Sequence, residues 1–344
     1  MEELIIKEVH EEIPGFKTIV FEQGHLVSYT PGQYLTLIRK DNSGEEVRRS
    51  YSIVSVPFLH EPLTIGVKRV ANGFFSRQLV DHAKAGDKVQ AAGAGGLFVL
   101  PKDIQQNPQI FFLAAGSGIT PIFALIKSVL YEHSHVSVVL IYSNSSPAQA
   151  IFLQQLLQLQ QQFATRFQLE LLFSNIADLS KARLYRELLM KFVNRYALAN
   201  FEKILFYVCG PEAYMRMCIY VLQEHNVPAN NIRKEVFLIH KKSAALLLPP
   251  DKQTHSVTIY MPDRAYKFKV HYPDSILQAA RKNGVSLPYS CETGRCGNCA
   301  ARRLQGSVWM SYNEVLTQKD IDSGLTLTCV GHPLNSDVEL RMGG

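Results

Sequence analysis

Over roughly the first hundred residues, apolar side chains alternate with polar ones in short runs separated by turn formers. Lys17–Phe21, Gln33–Arg39, Val47–Val54, Leu63–Arg69 and Lys88–Ala92 read with a period of two, the mark of half-buried strands. Such strands, divided by glycine and proline, predict an antiparallel β-barrel. One helix interrupts it over about Phe75–Asp81, entered through Asn72-Gly73. From Gln109 the pattern changes to continuous apolar runs: Ile110–Ala115, Val136–Tyr142, Gln168–Phe173, Ile204–Cys209 and Val236–Ile239. Helices are predicted between them at Pro121–His133, Ala148–Phe163, Lys181–Val193 and Glu212–His225. Buried strands alternating with helices predict a parallel sheet covered on both faces. Lys241–His255, with two adjacent prolines, reads as a connector. A small α+β module follows. It has strands at Ser256–Met261 and Tyr266–His271, then a helix over Ser275–Asn283 capped by Asp274 and closed by Gly284. Strands at Ala301–Leu304 and Val308–Met310, a helix opening at Thr317 and a last strand at Asp337–Arg341 complete it. The expected fold class is therefore multidomain, with divisions at 1–104, 105–240, a linker at 241–255, and 256–344.

Composition narrows the function. At 344 residues the chain is long enough for two or three proper cores. Its acidic N-terminus lacks the basic and apolar regions of a signal peptide, and no apolar run approaches the ~18 residues of a spanning helix. A soluble chain in a reducing, cytoplasmic setting, without membrane insertion, is expected. The net charge of +6 is uneven. Residues 1–104 hold 12 Lys+Arg against 13 Asp+Glu, residues 105–240 hold 11 against 8, and residues 241–344 hold 13 against 9. The last module is the basic one. No basic run with interleaved aromatics occurs, so nucleic acid is a poor partner. A basic face would instead steer an acidic-surfaced protein partner, with Arg295, Arg302 and Arg303 as its candidate contacts.

Candidate chemistry is densest at Tyr289–Ala300, Y-S-C-E-T-G-R-C-G-N-C-A. Cys291, Cys296 and Cys299 have C-x4-C-x2-C spacing, and Cys329 follows after 29 intervening residues. That is the spacing of plant-type 2Fe-2S centres. Gly294 and Gly297 relieve crowding and let amides approach sulfur. Zinc and disulfides are the rival readings; zinc ribbons more often pair two C-x2-C units, and disulfides suit secreted chains. Cys209 and Cys218 remain as reduced thiols.

Two motifs in the first module suit a pyrophosphate, which wants a forked guanidinium and free amides at a helix N-terminus. They are R-S-Y-S (Arg49, Ser50, Tyr51, Ser52) and the turn Gly73, Phe74, Phe75, Ser76. In the second module A-G-S-G-I-T-P carries Gly116, Ser117, Gly118 and Thr120 at a strand end, where glycines let amides meet phosphate. Cys209, Gly210 and Pro211 end another strand.

Together these motifs resemble the ferredoxin-NADP reductase superfamily. The resemblance implies that Arg49 binds the pyrophosphate of FAD, that Tyr51 packs along the isoalloxazine, and that Ser52 lies near flavin N5. Pro31–Tyr34 and Gly66–Arg69, including Val67 and Lys68, stand where that family has its P-G-Q and V-K-R stretches. It further implies that Thr120 and Cys209 flank nicotinamide and flavin, making Ser52 and Cys209 the candidate catalytic residues. The third module resembles a plant-type ferredoxin of β-grasp fold, whose ligands would be Cys291, Cys296, Cys299 and Cys329. Related enzymes often carry Y-G-N-R after the second parallel strand; here Tyr142–Ser146 has no arginine and no acid. Lys181, Arg183 and Arg186 lie after the next strand, where relatives place a 2′-phosphate arginine, so Arg183 is the candidate and NADPH is favoured over NADH. The module order matches reductase components of multicomponent oxygenases, most closely the reductase subunits of phenylacetyl-CoA epoxidases. The carriers of that likeness are G-x-C-G-x-C and G-x-x-L-T-C-x-x-H-P. Reductases of hybrid-cluster proteins and of acyl-CoA or steroid oxidation share the order. A redox sensor without enzyme activity is the competing class, and the intact nicotinamide motifs stand against it.

Overall fold

The computed structural model describes residues 2–22, 26–41, 43–176, 178, 182–237 and 247–342. The chain divides into two compact units, Met1–Glu235 and Val236–Gly344.

The first unit opens with β1 (Glu2–Ile13), a strand that the alternation did not reveal. Only Leu4 and Ile6 point fully inward, and two register shifts, at Ile6/Glu8 and Glu11/Ile13, break the period. The strand is nonetheless internal, pairing with β2 (Phe16–Phe21) and β6 (Lys88–Gly95). With β3 (Tyr34–Lys40), β4 (Glu46–Ser52) and β5 (Thr64–Lys68) it makes an antiparallel sheet in the order β4-β3-β6-β1-β2-β5. A bridge from Ile53 to Ile65 joins the two ends, so the sheet closes as a barrel. Helix α1 (Phe74–Asp81) puts Phe75, Leu79 and Val80 into the barrel core.

The second sheet is wholly parallel. Its strands are β7 (Gln109–Ala115), β8 (Ser137–Asn144), β9 (Phe167–Phe173), β10 (Ile204–Cys209) and β11 (Ile232–Glu235), in the order β11-β10-β7-β8-β9. Helices α2 (Ile119–Glu132), α3 (Leu153–Gln162), α4 (Arg186–Tyr196) and α5 (Glu212–Glu224) connect them. The helix expected over Ala148–Phe163 is split: a 3-10 turn at Pro147–Gln149 and a left-handed Phe152 precede α3. The helix expected from Lys181 starts at Arg186, and Lys181 itself lies outside the described residues. The last strand is Ile232–Glu235 rather than Val236–Ile239, because β11 pairs with β10 alone and an edge strand does not require a continuous apolar run. Residues 238–239 lie outside the described residues, as does 241–246 of the expected connector. Phe16, Val54 and Phe98 of the barrel module pack into the same core as Ile119, Phe123 and Phe152, so barrel and parallel sheet share one apolar seam.

The second unit has a mixed sheet in the order β13-β12-β18-β14-β16. Its strands are β12 (His255–Tyr260), β13 (Ala265–Val270), β14 (Ala300–Gln305), β16 (Leu325–Leu327) and β18 (Val338–Met342). A separate ladder joins β15 (Val308–Met310) to β17 (Gly331–Pro333). Helices α6 (Ile276–Lys282) and α7 (Gln318–Asp322) complete it. The cap of α6 is Ser275 and not Asp274. Ser275 and Gln278 form a reciprocal capping box, while Asp274 instead takes an ion pair from Lys282 at 2.7 Å.

Candidate functional site

On the barrel face, Arg49 of β4 is exposed and its guanidinium donates to the Arg48 carbonyl at 2.7 Å. Ser50 shares a hydroxyl contact of 3.1 Å with Thr36. Tyr51 is half-buried, and burial pushes its phenol upward. Ser52 is buried and hydrogen-bonds the carboxyl of Glu235. At α1, a Cβ on Gly73 would meet Ser76 Oγ at 2.2 Å and displace that hydroxyl. That hydroxyl accepts the Val70 N–H at 3.1 Å and fixes the turn. No side-chain hydrogen bond caps α1 at Gly73. Val67 and Phe75 place their side chains in the barrel core, whereas Lys68 and Phe74 are exposed.

The parallel strand order reverses at β7 and β10, and ligands bind where such an order reverses. These two strands are in register, Cys209 beside Ala114. The two turns that follow them therefore meet. A Cβ on Gly118 would lie 2.1 Å from the Cys209 carbonyl, so only glycine fits there. Gly116 is left-handed at φ 54°, and Tyr142 donates to its carbonyl at 3.2 Å. Thr120 is buried and donates to the Ser117 carbonyl at 2.9 Å; its methyl would be 2.9 Å from a Cβ on Gly66 of the barrel. Gly210 and Pro211 lead into α5. The barrel strand, the glycine turn and the Cys209 turn thus converge on one seam of the first unit. Arg183 is exposed between β9 and α4, and Arg186 is ion-paired to Glu224 at 2.7 Å.

Glu235 is the residue that sequence reasoning missed. It ends β11 in register with Cys209, and its Oε2 is buried without a hydrogen-bond partner. Burial, opposed by the Ser52 hydrogen bond, pushes the carboxyl up to about 8. Burial first, and then the charge of Glu235, raise the Cys209 thiol as well. An acid on an edge strand looks like surface in the sequence, so only its neighbours reveal it. A second interface group was also missed: Lys127 of α2 reaches Glu61 of the barrel at 2.5 Å, both mostly buried.

In the cysteine loop of the second unit, Cys291, Cys299 and Cys329 are buried and Cys296 is half-buried, and none forms a disulfide. Cys299 Sγ lies 3.2 Å from Cys329 Sγ. Cys291 hydrogen-bonds both Cys296 and Cys329, contacts that hold its thiol low and that of Cys329 high. Thr293 donates its N–H to Cys291 Sγ at 3.4 Å. Gly294 and Gly297 are left-handed, and a Cβ on Gly294 would lie 2.8 Å from the Tyr312 carbonyl. Among the described residues no group of three or more ligands is arranged around a single ion. Four thiols joined by the contacts Cys291–Cys296, Cys291–Cys329 and Cys299–Cys329 fit a group that takes four thiolates. Arg295 pairs with Glu314 at 3.0 Å and stacks on Tyr312; Arg281 grips Glu292 at 2.8 Å and covers Tyr289 at 3.8 Å.

Comparison with known proteins matches all three modules. A family model for an oxidoreductase FAD-binding domain matches residues 6–100, an oxidoreductase NAD-binding domain 112–219, and a 2Fe-2S iron-sulfur cluster binding domain 261–334. The chain belongs to the ferredoxin-NADP reductase superfamily, among its members with a C-terminal 2Fe-2S domain. It is 33% identical to the ferredoxin reductase component of 3-ketosteroid-9-alpha-monooxygenase from Mycolicibacterium smegmatis, over 98% of this chain and 96% of that one. It is 31% identical to one of the subunits of 1,2-phenylacetyl-CoA epoxidase from Escherichia coli, over 90% of this chain and 87% of that one. Phthalate dioxygenase reductase has the same fold at TM-score 0.59 and 21% identity, covering 99% of this chain and 98% of that one. The protein is an electron-transferring oxidoreductase that uses NAD(P)H, FAD and a 2Fe-2S cluster. No helix among the described residues is long and apolar enough to cross a membrane.

Proposed function

We propose that the chain is the reductase component of a multicomponent oxygenase and passes electrons singly from its cluster to the oxygenase component. The observation that carries this is end-to-end similarity: the chain spans 96% of a reductase component with all three modules in the same order. When bound, FAD accepts two electrons as hydride and gives them up one at a time, which a one-electron cluster requires. The protein's share is placement. Arg49 and the free amides of α1 hold the pyrophosphate, and Tyr51 lies along the ring. The Gly116–Gly118 turn and Cys209-Gly210-Pro211 bind the nicotinamide half, with Thr120 closing the seam against Gly66. Arg183 receives the 2′-phosphate, favouring NADPH. Glu235, neutral at pH 7 by its raised value, holds a proton against Ser52 beside the position of flavin N5. Cys291, Cys296, Cys299 and Cys329 ligate the cluster. Surface charge then selects the acceptor, since residues 241–344 carry 13 cations against 9 anions. Arg295 is already paired with Glu314 and Arg302 donates to the Ser323 carbonyl, so exposed Arg303 is the docking cation for an acidic partner. The thiol-bound cluster suits a reducing compartment such as the cytoplasm.

The test is anaerobic. NADPH should bleach the flavin absorbance and then the cluster, and a purified oxygenase component should reoxidise both. Bleaching without any reoxidation by oxygenase components of the steroid or phenylacetyl-CoA type would overturn the acceptor class while leaving the reductase chemistry standing.

A further inference from the structure

We propose that the side-chain hydroxyl of Thr293 donates a hydrogen bond to sulfur of the 2Fe-2S cluster and sets how readily the cluster takes an electron, an inference that rests on the cluster reading of the cysteine loop. Thr293 lies between the first two ligand cysteines, in C-E-T-G-R-C. Its backbone already serves sulfur, donating its N–H to Cys291 Sγ at 3.4 Å. Its hydroxyl is the unexplained part. Oγ1 is buried, stands beside the Cys291 sulfur and completes no hydrogen bond among the described residues. A buried hydroxyl without a partner costs stability, and valine, of nearly the same shape, would fill the space without that cost. The oxygen is accounted for once an acceptor is bound. The thiolates and sulfides of a cluster are anionic acceptors, whereas a protonated thiol is a weak one.

The loop fastens this residue from both sides. Glu292 before it is left-handed at φ 57°, an uncommon conformation for a residue with a side chain. Arg281 of α6 holds it there, gripping the Glu292 carboxylate through hydrogen bonds of 2.8 and 3.2 Å while its guanidinium covers Tyr289 at 3.8 Å. Gly294 after it is left-handed at φ 73°, and its carbonyl accepts the Glu314 N–H at 3.1 Å. A Cβ on Gly294 would lie 2.8 Å from the Tyr312 carbonyl, so that side is closed as well. With both neighbours fixed and a β-branched side chain restricted at χ1, the Thr293 hydroxyl is held beside Cys291. A hydrogen bond to cluster sulfur stabilises the reduced, more negative form above the oxidised one and so raises the reduction potential. In this chain the effect is to favour the electron on the cluster over the electron on the flavin.

Full-length protein carrying FAD and cluster, titrated anaerobically with reductant and read by electron paramagnetic resonance of the reduced cluster, tests this without recourse to turnover. Thr293→Val should make the cluster about tenfold harder to reduce, about 59 mV lower for a one-electron couple, while the flavin equilibria in the same molecule stay within about twofold. Thr293→Ser keeps the hydroxyl and should remain within about twofold of wild type. Exchange into D2O should reveal a hydroxyl deuteron coupled to the reduced cluster in wild type and in Thr293→Ser, one that Thr293→Val lacks. A valine variant that keeps its iron and shows an unchanged potential would overturn the inference. So would a serine variant shifted as far as the valine one, since packing and not the hydroxyl would then be responsible. Should Thr293→Val fail to retain its iron, Thr293→Ala, which also lacks the hydroxyl, is read against Thr293→Ser in the same way. Wild-type protein that takes up neither iron nor sulfide would overturn the cluster reading and this inference together, whereas an unchanged potential leaves the cluster reading standing.

Discussion

Replacing Glu235 by Gln is the sharpest test of the seam between barrel and parallel sheet. In the folded chain this carboxyl is pushed up to about 8 by burial, from the ordinary 4.5. An acid whose folded value is raised binds its proton more tightly in the native state than in the unfolded one. Stability therefore falls as pH rises from about 4.5, and the full cost is present above about 8. A shift of that size corresponds to about 5 kcal/mol, an upper figure because water entering the site would lessen it. Glutamine reproduces the neutral acid, with an amide in place of the hydroxyl. Glu235→Gln should match wild type at pH 5 and exceed it progressively toward pH 8.5, by on the order of 10 °C in melting temperature for a unit of this size. Differential scanning calorimetry of both proteins at saturating FAD, at pH 5, 7 and 8.5, reads the difference. A wild-type-to-variant gap that does not change with pH would mean that Glu235 titrates like a surface glutamate. The proton held against Ser52 would then be lost from the proposed mechanism as well.

Cys296→Ser should abolish reduction of a one-electron protein acceptor while ferricyanide reduction by NAD(P)H persists, because ferricyanide can draw on the flavin; joint loss with FAD retained would refute the carrier order. Arg183→Ala should raise KM for NADPH about tenfold or more, the effect of a charge-assisted phosphate contact of roughly 1.5 to 3 kcal/mol, and leave NADH unaffected. Lys127→Met leaves Glu61, a third exposed, without its 2.5 Å partner across the barrel interface and should cost about 2 kcal/mol in unfolding by urea, with Lys127→Met/Glu61→Gln recovering most of it. Acceptor turnover should slow as salt rises to ~0.5 M, where screening is nearly complete within a few ångströms, and Arg303→Glu should raise the apparent KM for the acceptor; hydride transfer from NAD(P)H should be indifferent to both.

The parts of this protein legible in its sequence are those set by local spacing. Cys291, Cys296 and Cys299, with two glycines between them, converge wherever the loop is placed, and the hydrophobic period changes from two to continuous runs where the barrel gives way to the parallel sheet. The strand-end glycines were legible for the same reason. Gly118 must be glycine because a neighbouring backbone passes it, but which backbone, that of Cys209, depends on β7 and β10 being adjacent. Strand order is a non-local choice, and nothing in either segment states it. β1 escaped notice because its inward positions are interrupted by two register shifts that only its partners impose. Asp274 looked like a cap and Arg295 like a docking charge, since both have the right residue type in the right stretch. Folding gave the cap to Ser275, whose side chain reaches the Gln278 amide, and closed Arg295 onto Glu314. Glu235 is the extreme case. Its environment is made by Ser52, 183 positions earlier in the chain, and by Cys209 on the next strand, so its raised carboxyl exists only once the barrel and the parallel sheet have packed together.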